Sequence, residues 1–183
     1  MLQNAGFQCT VFPIKVSEQL KKNLNLEAQI KDLAERKNEA AVEGLNSLKT
    51  QDFLVLTADT MVVIDNEALG KPDDQKQAEL FLTRLSGRSH DVKTAICVYS
   101  KSKNKRICEI QNTKVFFRPI LRQEILDYIS SGEPMDKAGA YAIQGGASKF
   151  VEKIVGPYDN VVGLPVELLK SILIKEFAYV VAD

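Results

Sequence analysis

The sequence predicts an α/β fold, a mixed sheet with flanking helices, in one compact domain or one domain with two lobes around a cleft. Three observations predict it. Apolar or small residues between Leu26 and Leu48 recur on a helical period, several other stretches are apolar runs of strand length, and the two kinds of segment are interspersed along the 183 residues. Strict strand–helix–strand repetition is missing and one long hairpin is expected, so the sheet is read as mixed, with α+β the neighbouring class. Strand order does not follow from the pattern.

Phe7 to Phe12 alternates weakly and stops at Pro13, which predicts a short strand. Leu26, Ile30, Leu33, Ala34, Ala41, Gly44, Leu45 and Leu48 fall on one helical face. Phe53 to Ala58 and Met61 to Ile64 are predicted as two strands separated at Asp59-Thr60, the second entering a turn at Asp65-Asn66. Asp73-Asp74 places acids at a helix start, and that helix runs to Leu85 before Gly87. Asp91 to Tyr99 and Arg106 to Phe117 form a hairpin around the polar turn Ser100 to Lys105. A helix near Arg122 to Ser130 follows Pro119 and closes at Gly132; Phe150 to Val155 reads as a strand and Val166 to Ile174 as a last helix after Pro165.

Composition narrows the function. Twenty-four Lys and Arg balance 24 Asp and Glu, so the basic excess of a general nucleic-acid or anionic-membrane binder is missing. No window reaches the ~18 apolar residues of a membrane span. Cys9, Cys97 and Cys108 have no metal-like spacing and are expected to be free thiols, two of them buried, in a reducing compartment, the cytoplasm. His90 is the sole histidine; it follows Gly87-Arg88-Ser89 and is expected on a surface turn, and no Gly-x-Ser-x-Gly elbow is present.

Three residues break the pattern of their own segments. Asp59 closes an apolar run, where a carboxylate needs a metal, a lysine or backbone donors; a turn-forming role is the alternative. Lys37 falls inside the apolar stripe of the first long helix, either snorkelling to the core edge or aiming its ammonium into a cleft as a point charge for phosphate. Lys71 is bracketed by Gly70 and Pro72 on a short loop, with a solvated lysine as the plain alternative. The glycine-rich stretch Asp136 to Gly146 fits no phosphate-loop or dinucleotide fingerprint. Within it, Gln144 has an amide able to read a base edge or to satisfy loop backbone.

Five motifs occur in order: Ala58-Asp59-Thr60, Leu69-Gly70-Lys71-Pro72, Leu85-Ser86-Gly87-Arg88-Ser89-His90, Ser131-Gly132-Glu133-Pro134-Met135-Asp136-Lys137-Ala138-Gly139-Ala140-Tyr141, and Asn160-Val161-Val162-Gly163-Leu164-Pro165. Together they closely resemble the Maf family of nucleoside triphosphate pyrophosphatases, related in fold to the inosine triphosphate pyrophosphatases. The resemblance implies cleavage of a nucleoside triphosphate to monophosphate and pyrophosphate with a divalent metal cation, Mg²⁺ or Mn²⁺. It implies Asp59 as proton acceptor and metal-associated acid, Glu18 as an acidic residue near the metal, and Lys37 and Lys71 as phosphate-binding residues. Thr60 and Gln144 match positions associated with the subfamily preferring dTTP and UTP. A homodimer is compatible with the family; nucleic-acid and membrane partners are not expected.

Family members begin with an apolar strand and a Ser-x-Ser-Pro-Arg-Arg loop. This sequence opens at Met1-Leu2-Gln3-Asn4-Ala5-Gly6-Phe7, which resembles the end of the helix after that loop. Residues 1–183 are therefore expected to form a single domain, N-terminally truncated relative to the family. Gly145-Gly146-Ala147-Ser148-Lys149 also replaces a more apolar family stretch. The alternative reading is a catalytically impaired member that binds a nucleotide or a partner, because the arginine loop would supply backbone donors and a guanidinium to the phosphates.

Overall fold

The computed structural model describes residues 1–21 and 23–179. Helix α1 spans Leu26–Ser47, and its first turn is capped by the Asn25 side chain, which accepts a hydrogen bond from the Ala28 amide at 2.9 Å. Strand β1 covers Leu54–Ile64 and turns at Asp65 and Asn66 into β2, Glu67–Leu69. Both turn residues have positive φ, 53° and 58°, as a two-residue hairpin turn of matching twist requires. Helix α2 (Gln75–Leu85) begins where Asp74 accepts from the Gln77 amide. Strands β3 (Ser89–Ser100) and β4 (Lys105–Phe117) form the long hairpin, followed by α3 (Arg122–Ser130), β5 (Val151–Val155), α4 (Tyr158–Val162) and α5 (Val166–Phe177).

The five strands lie in the order β2-β1-β3-β4-β5. β1 pairs antiparallel with β2, Val62 opposite Leu69, and β4 pairs antiparallel with β5, Val115 opposite Ile154. The chain divides into two compact units: Met1–Asp59, Thr94–Gln111 and Leu164–Asp183 form one, Thr60–Lys93 and Asn112–Gly163 the other.

In the first unit the period of two along β3 sends alternate side chains to different helices. Ile96 and Val98 pack with Leu169, Ile172, Leu173 and Phe177 of α5, whereas Tyr99 packs with Ala41, Val42 and Val55 in the cluster beneath α1. Asn38 is fully buried in that face. Its Nδ2 donates to the carbonyls of Val55 (3.3 Å) and Cys97 (3.1 Å), and its Oδ1 accepts from Arg106 Nε at 3.0 Å. Thr57 donates its hydroxyl to the Ala34 carbonyl at 2.8 Å. These bonds fix the helix against β1 with more directional content than apolar packing carries.

In the second unit Val62, Ile64, Leu69, Leu82 and Leu85 share a core with Phe117, Tyr128, Tyr141 and Phe150. His90 is embedded there, 2% exposed, its Nε2 2.8 Å from the Tyr141 hydroxyl and its ring edge-on to Phe117.

Several expectations are corrected. Residues 7–12 are not a strand: Val11 and Phe12 are exposed, so the weak alternation has no core to face. The two strands expected around Asp59-Thr60 are one continuous strand, because a polar pair interrupts hydrophobicity without interrupting extended backbone. His90 is not a surface turn residue but the first buried position of β3. Cys97 and Cys108, expected as free thiols, are bonded to each other with Cα atoms 4.2 Å apart, since the β3–β4 hairpin sets them side by side; Cys9 is free and exposed. Strand β2 and helix α4 are too short to have left a periodic signature.

Two consequences for stability are measurable. Replacing Asn38 by Ala strands two buried carbonyls, and should lower the unfolding free energy by about 1–3 kcal/mol; urea titration that finds no change would remove Asn38 from this role. Burial, against the pull of Asp91, lowers the pKa of folded His90 from 6.5 to about 4. The unfolded chain then binds more protons between those values, so this stabilising contribution is complete above about pH 6.5 and is lost on acidification toward pH 4. The full shift is worth about 3 kcal/mol. His90→Gln should flatten the stability slope over that window, read from urea midpoints at successive pH values.

Candidate active site

Lys37 stands on α1 one residue before the buried Asn38, so the bonds that seat Asn38 also fix where Lys37 begins. Its ammonium donates to Asp59 Oδ1 at 2.6 Å and to Glu18 Oε1 at 3.0 Å. The side chains of Lys37 and Asp59 are only 19% and 15% exposed, while Glu18 is 52% exposed. One cation therefore gathers two carboxylates at the edge of the core. Burial works against the charged lysine, but the bonds and charges of Asp59, and then of Glu18, raise the Lys37 pKa above the ordinary lysine value. The lysine stays protonated at neutral pH.

Asp59 reaches this position from the middle of β1, where the extended backbone passes alongside α1. The turn-forming alternative for Asp59 is thereby excluded. Glu18 arrives differently, from an irregular segment before the helix. Arg36, the neighbour of Lys37, donates through Nη2 to the Gln19 carbonyl at 3.0 Å and through Nη1 to the Ser17 carbonyl, while its Nε bonds Asp32 at 2.8 Å. The guanidinium thus grips the backbone on both sides of Glu18.

Thr60, Lys71 and Gln144 belong to the second unit. Thr60 follows Asp59 in β1 and lies where Gly163, at φ +112°, closes α4; a Cβ on Gly163 would stand 3.4 Å from the threonine hydroxyl. Lys71 is exposed on the loop between β2 and α2, beside the buried Pro72. That loop is tied down at Gly70, whose carbonyl accepts from the Gly139 amide at 3.0 Å. The Asp136 pKa is lowered chiefly by its bond to Lys137, with a smaller contribution from the charge of Lys71. Gln144 is exposed between the buried Ile143 and Ala147.

Sequence reasoning singled out Lys37, Asp59 and Glu18, and the structure brings these three together. It missed Asn38, Thr57, Arg106 and Arg36, which hold them. Asn38 carried a detectable signal: it lies four residues after Ala34 and three before Ala41, a polar side chain on the buried stripe. Arg36 carried none, because its contacts are to main-chain atoms of a segment without periodicity.

The carboxylate pair suits a hard divalent cation. Magnesium is commonly held by one or two carboxylates with substrate phosphates completing the shell, and among the described residues no group of three or more His, Cys, Asp or Glu forms an all-protein cage. Nor is any described helix long and apolar enough to cross a membrane.

Residues 1–176 match the family model described as Maf-like protein. The chain is 48% identical over 175 residues to a dTTP/UTP pyrophosphatase of Bdellovibrio bacteriovorus, covering 96% of this chain and 91% of that one. A dTTP/UTP pyrophosphatase of Citrifermentans bemidjiense is 43% identical, covering 90% and 83%, and one of Caldicellulosiruptor bescii is 36% identical, covering 98% and 89%. With the family match spanning nearly its whole length, this chain belongs to the Maf-like proteins.

Proposed function

We propose that the protein hydrolyses nucleoside triphosphates, dTTP and UTP foremost, to the monophosphate and pyrophosphate, as a house-cleaning enzyme of the cytoplasmic nucleotide pool. The observation that carries this reading is the Lys37 ammonium held between Asp59 and Glu18; the relatives, named dTTP/UTP pyrophosphatases, supply the substrate class.

The reaction forms a bond from a water oxygen to the α-phosphorus and breaks the bridge to the β-phosphate. Its proton needs an acceptor, and its leaving pyrophosphate needs compensation for negative charge. Asp59 is the acceptor: its carboxylate is anchored by Lys37, which fixes its direction while leaving it anionic. Lys37 and Lys71 bind the phosphates as compact point charges. Asp59 and Glu18 would hold the divalent cation, which when bound supplies Lewis-acid neutralisation of phosphate charge. Thr60 and Gln144 position the base, the amide offering both a donor and an acceptor to a pyrimidine edge.

The direct test incubates the protein with Mg²⁺ and dTTP, UTP, GTP or ATP and measures pyrophosphate. Release from dTTP and UTP in preference to the purines is expected; the reverse order would overturn the substrate assignment. Chelation with EDTA should abolish release and added Mg²⁺ restore it. Asp59→Asn keeps an oxygen for Lys37 but loses the base, so kcat should fall about 100-fold or more with folding retained. An unfolded variant would show instead that Asp59 serves the structure.

A further inference from the structure

The segment that carries Gln144 is held by an arrangement that the reaction itself does not use. Glu133 opens the short 3-10 turn Glu133–Asp136 just after α3, and its carboxylate points back across the chain. Oε2 accepts from the Gly146 amide at 3.0 Å, and Oε1 accepts from the Tyr128 hydroxyl at 2.9 Å. Tyr128 is itself buried, 3% exposed, and its hydroxyl oxygen accepts in turn from the Ala142 amide at 3.1 Å. The two amides bound in this way, Ala142 and Gly146, lie on either side of Gln144, two residues before it and two after.

Gly145 and Gly146 let the Glu133 carboxylate and the Tyr128 ring lie close against this backbone. A Cβ on Gly145 would fall 1.9 Å from Glu133 Oε1 and 2.4 Å from Cδ, and one on Gly146 would press on the Tyr128 ring at 3.1 Å. Backbone approaches this closely only where no side chain intervenes.

The Gln144 side chain has no hydrogen-bond partner among the described residues. Its backbone is tethered on both sides while its side chain stays exposed, which leaves the amide open to a ligand from a fixed stretch of main chain. The loop-satisfying alternative for Gln144 finds no bond to support it.

We infer that Glu133, acting with Tyr128, is a positioning residue for base selection: the carboxylate and hydroxyl fix the 142–146 backbone so that the Gln144 amide meets the nucleobase at a set position. This rests on the proposed role of Gln144 in reading the base.

The test compares kcat and KM for dTTP and GTP in wild type, Gln144→Ala, Glu133→Ala, Glu133→Gln and the double variant Glu133→Ala/Gln144→Ala. Glu133→Ala should raise KM for dTTP about tenfold, the scale of one or two lost hydrogen bonds, with kcat little changed and the preference for dTTP over GTP reduced toward that of Gln144→Ala. The double variant should be no worse than Gln144→Ala, since a freed loop has no reader left to misplace. Glu133→Gln keeps an acceptor oxygen and should recover most of the selectivity, which a purely structural role would not require. Should Glu133→Ala fail to fold, Tyr128→Phe, which keeps the buried ring and removes the hydroxyl, decides by the same criterion. If Gln144→Ala loses selectivity and the clamp variants keep it, this inference alone is overturned. If Gln144→Ala itself keeps wild-type selectivity, the base-reading role falls and this inference with it.

Discussion

A lysine ammonium shared by two carboxylates is the contact around which the first unit is organised. Lys37 on α1, Asp59 in β1 and Glu18 in an irregular segment have nothing in common in sequence position, and their heads meet within 3.0 Å. Partly buried charge is tolerable only when paired. Asp59 and Glu18 together outweigh the burial of the ammonium, and the lysine is pushed further toward protonation than it would be in water. A triad that keeps a carboxylate anionic and aimed is suited to accept a proton; the same pair of carboxylates is suited to a hard cation.

Such a contact depends on the elements that deliver it. Helix α1 would slide on apolar packing alone, since Ile30, Leu33, Ala34 and Ala41 specify a face but not a register to the nearest atom. Asn38 supplies the register by bonding the carbonyls of two different residues, Val55 and Cys97, with Arg106 completing the amide. A buried amide satisfied at both ends tolerates little displacement. On the other side of the lysine, Arg36 fixes the irregular chain through main-chain carbonyls, so Glu18 is presented without belonging to any helix or strand.

The second unit uses a comparable device at another place. Glu133 and Tyr128 tether backbone amides around Gln144, much as Arg36 tethers carbonyls around Glu18. In both, a charged side chain holds main chain near a residue proposed to act on the ligand, and loops acquire the rigidity that periodic structure would otherwise give. The His90 cluster loses its contribution as pH falls through the range between the two histidine pKa values, because an imidazolium enclosed by Phe117 and Tyr141, with Nδ1 lacking a hydrogen-bond partner among the described residues, has no acceptor for its second proton.

The sequence by itself determined the secondary elements long enough to repeat: α1, α2, α3, α5 and the β3–β4 hairpin follow from periods of 3.6 and 2 and from their caps. It also exposed Asp59 and Lys37, because a charge in an apolar run is a local contradiction visible without coordinates. Local pattern could not reach contacts made across the chain. Asp59-Thr60 looked like a break and is strand interior; His90 looked like a turn and is core; Cys97 and Cys108 looked like isolated thiols and are partners. Each outcome depends on which distant segment lies opposite, and periodicity records only which way a side chain leaves its own backbone. Tertiary structure alone decided that Glu18 meets Lys37, that Asn38 seats the helix, and that Gly145 yields its side-chain space to Glu133.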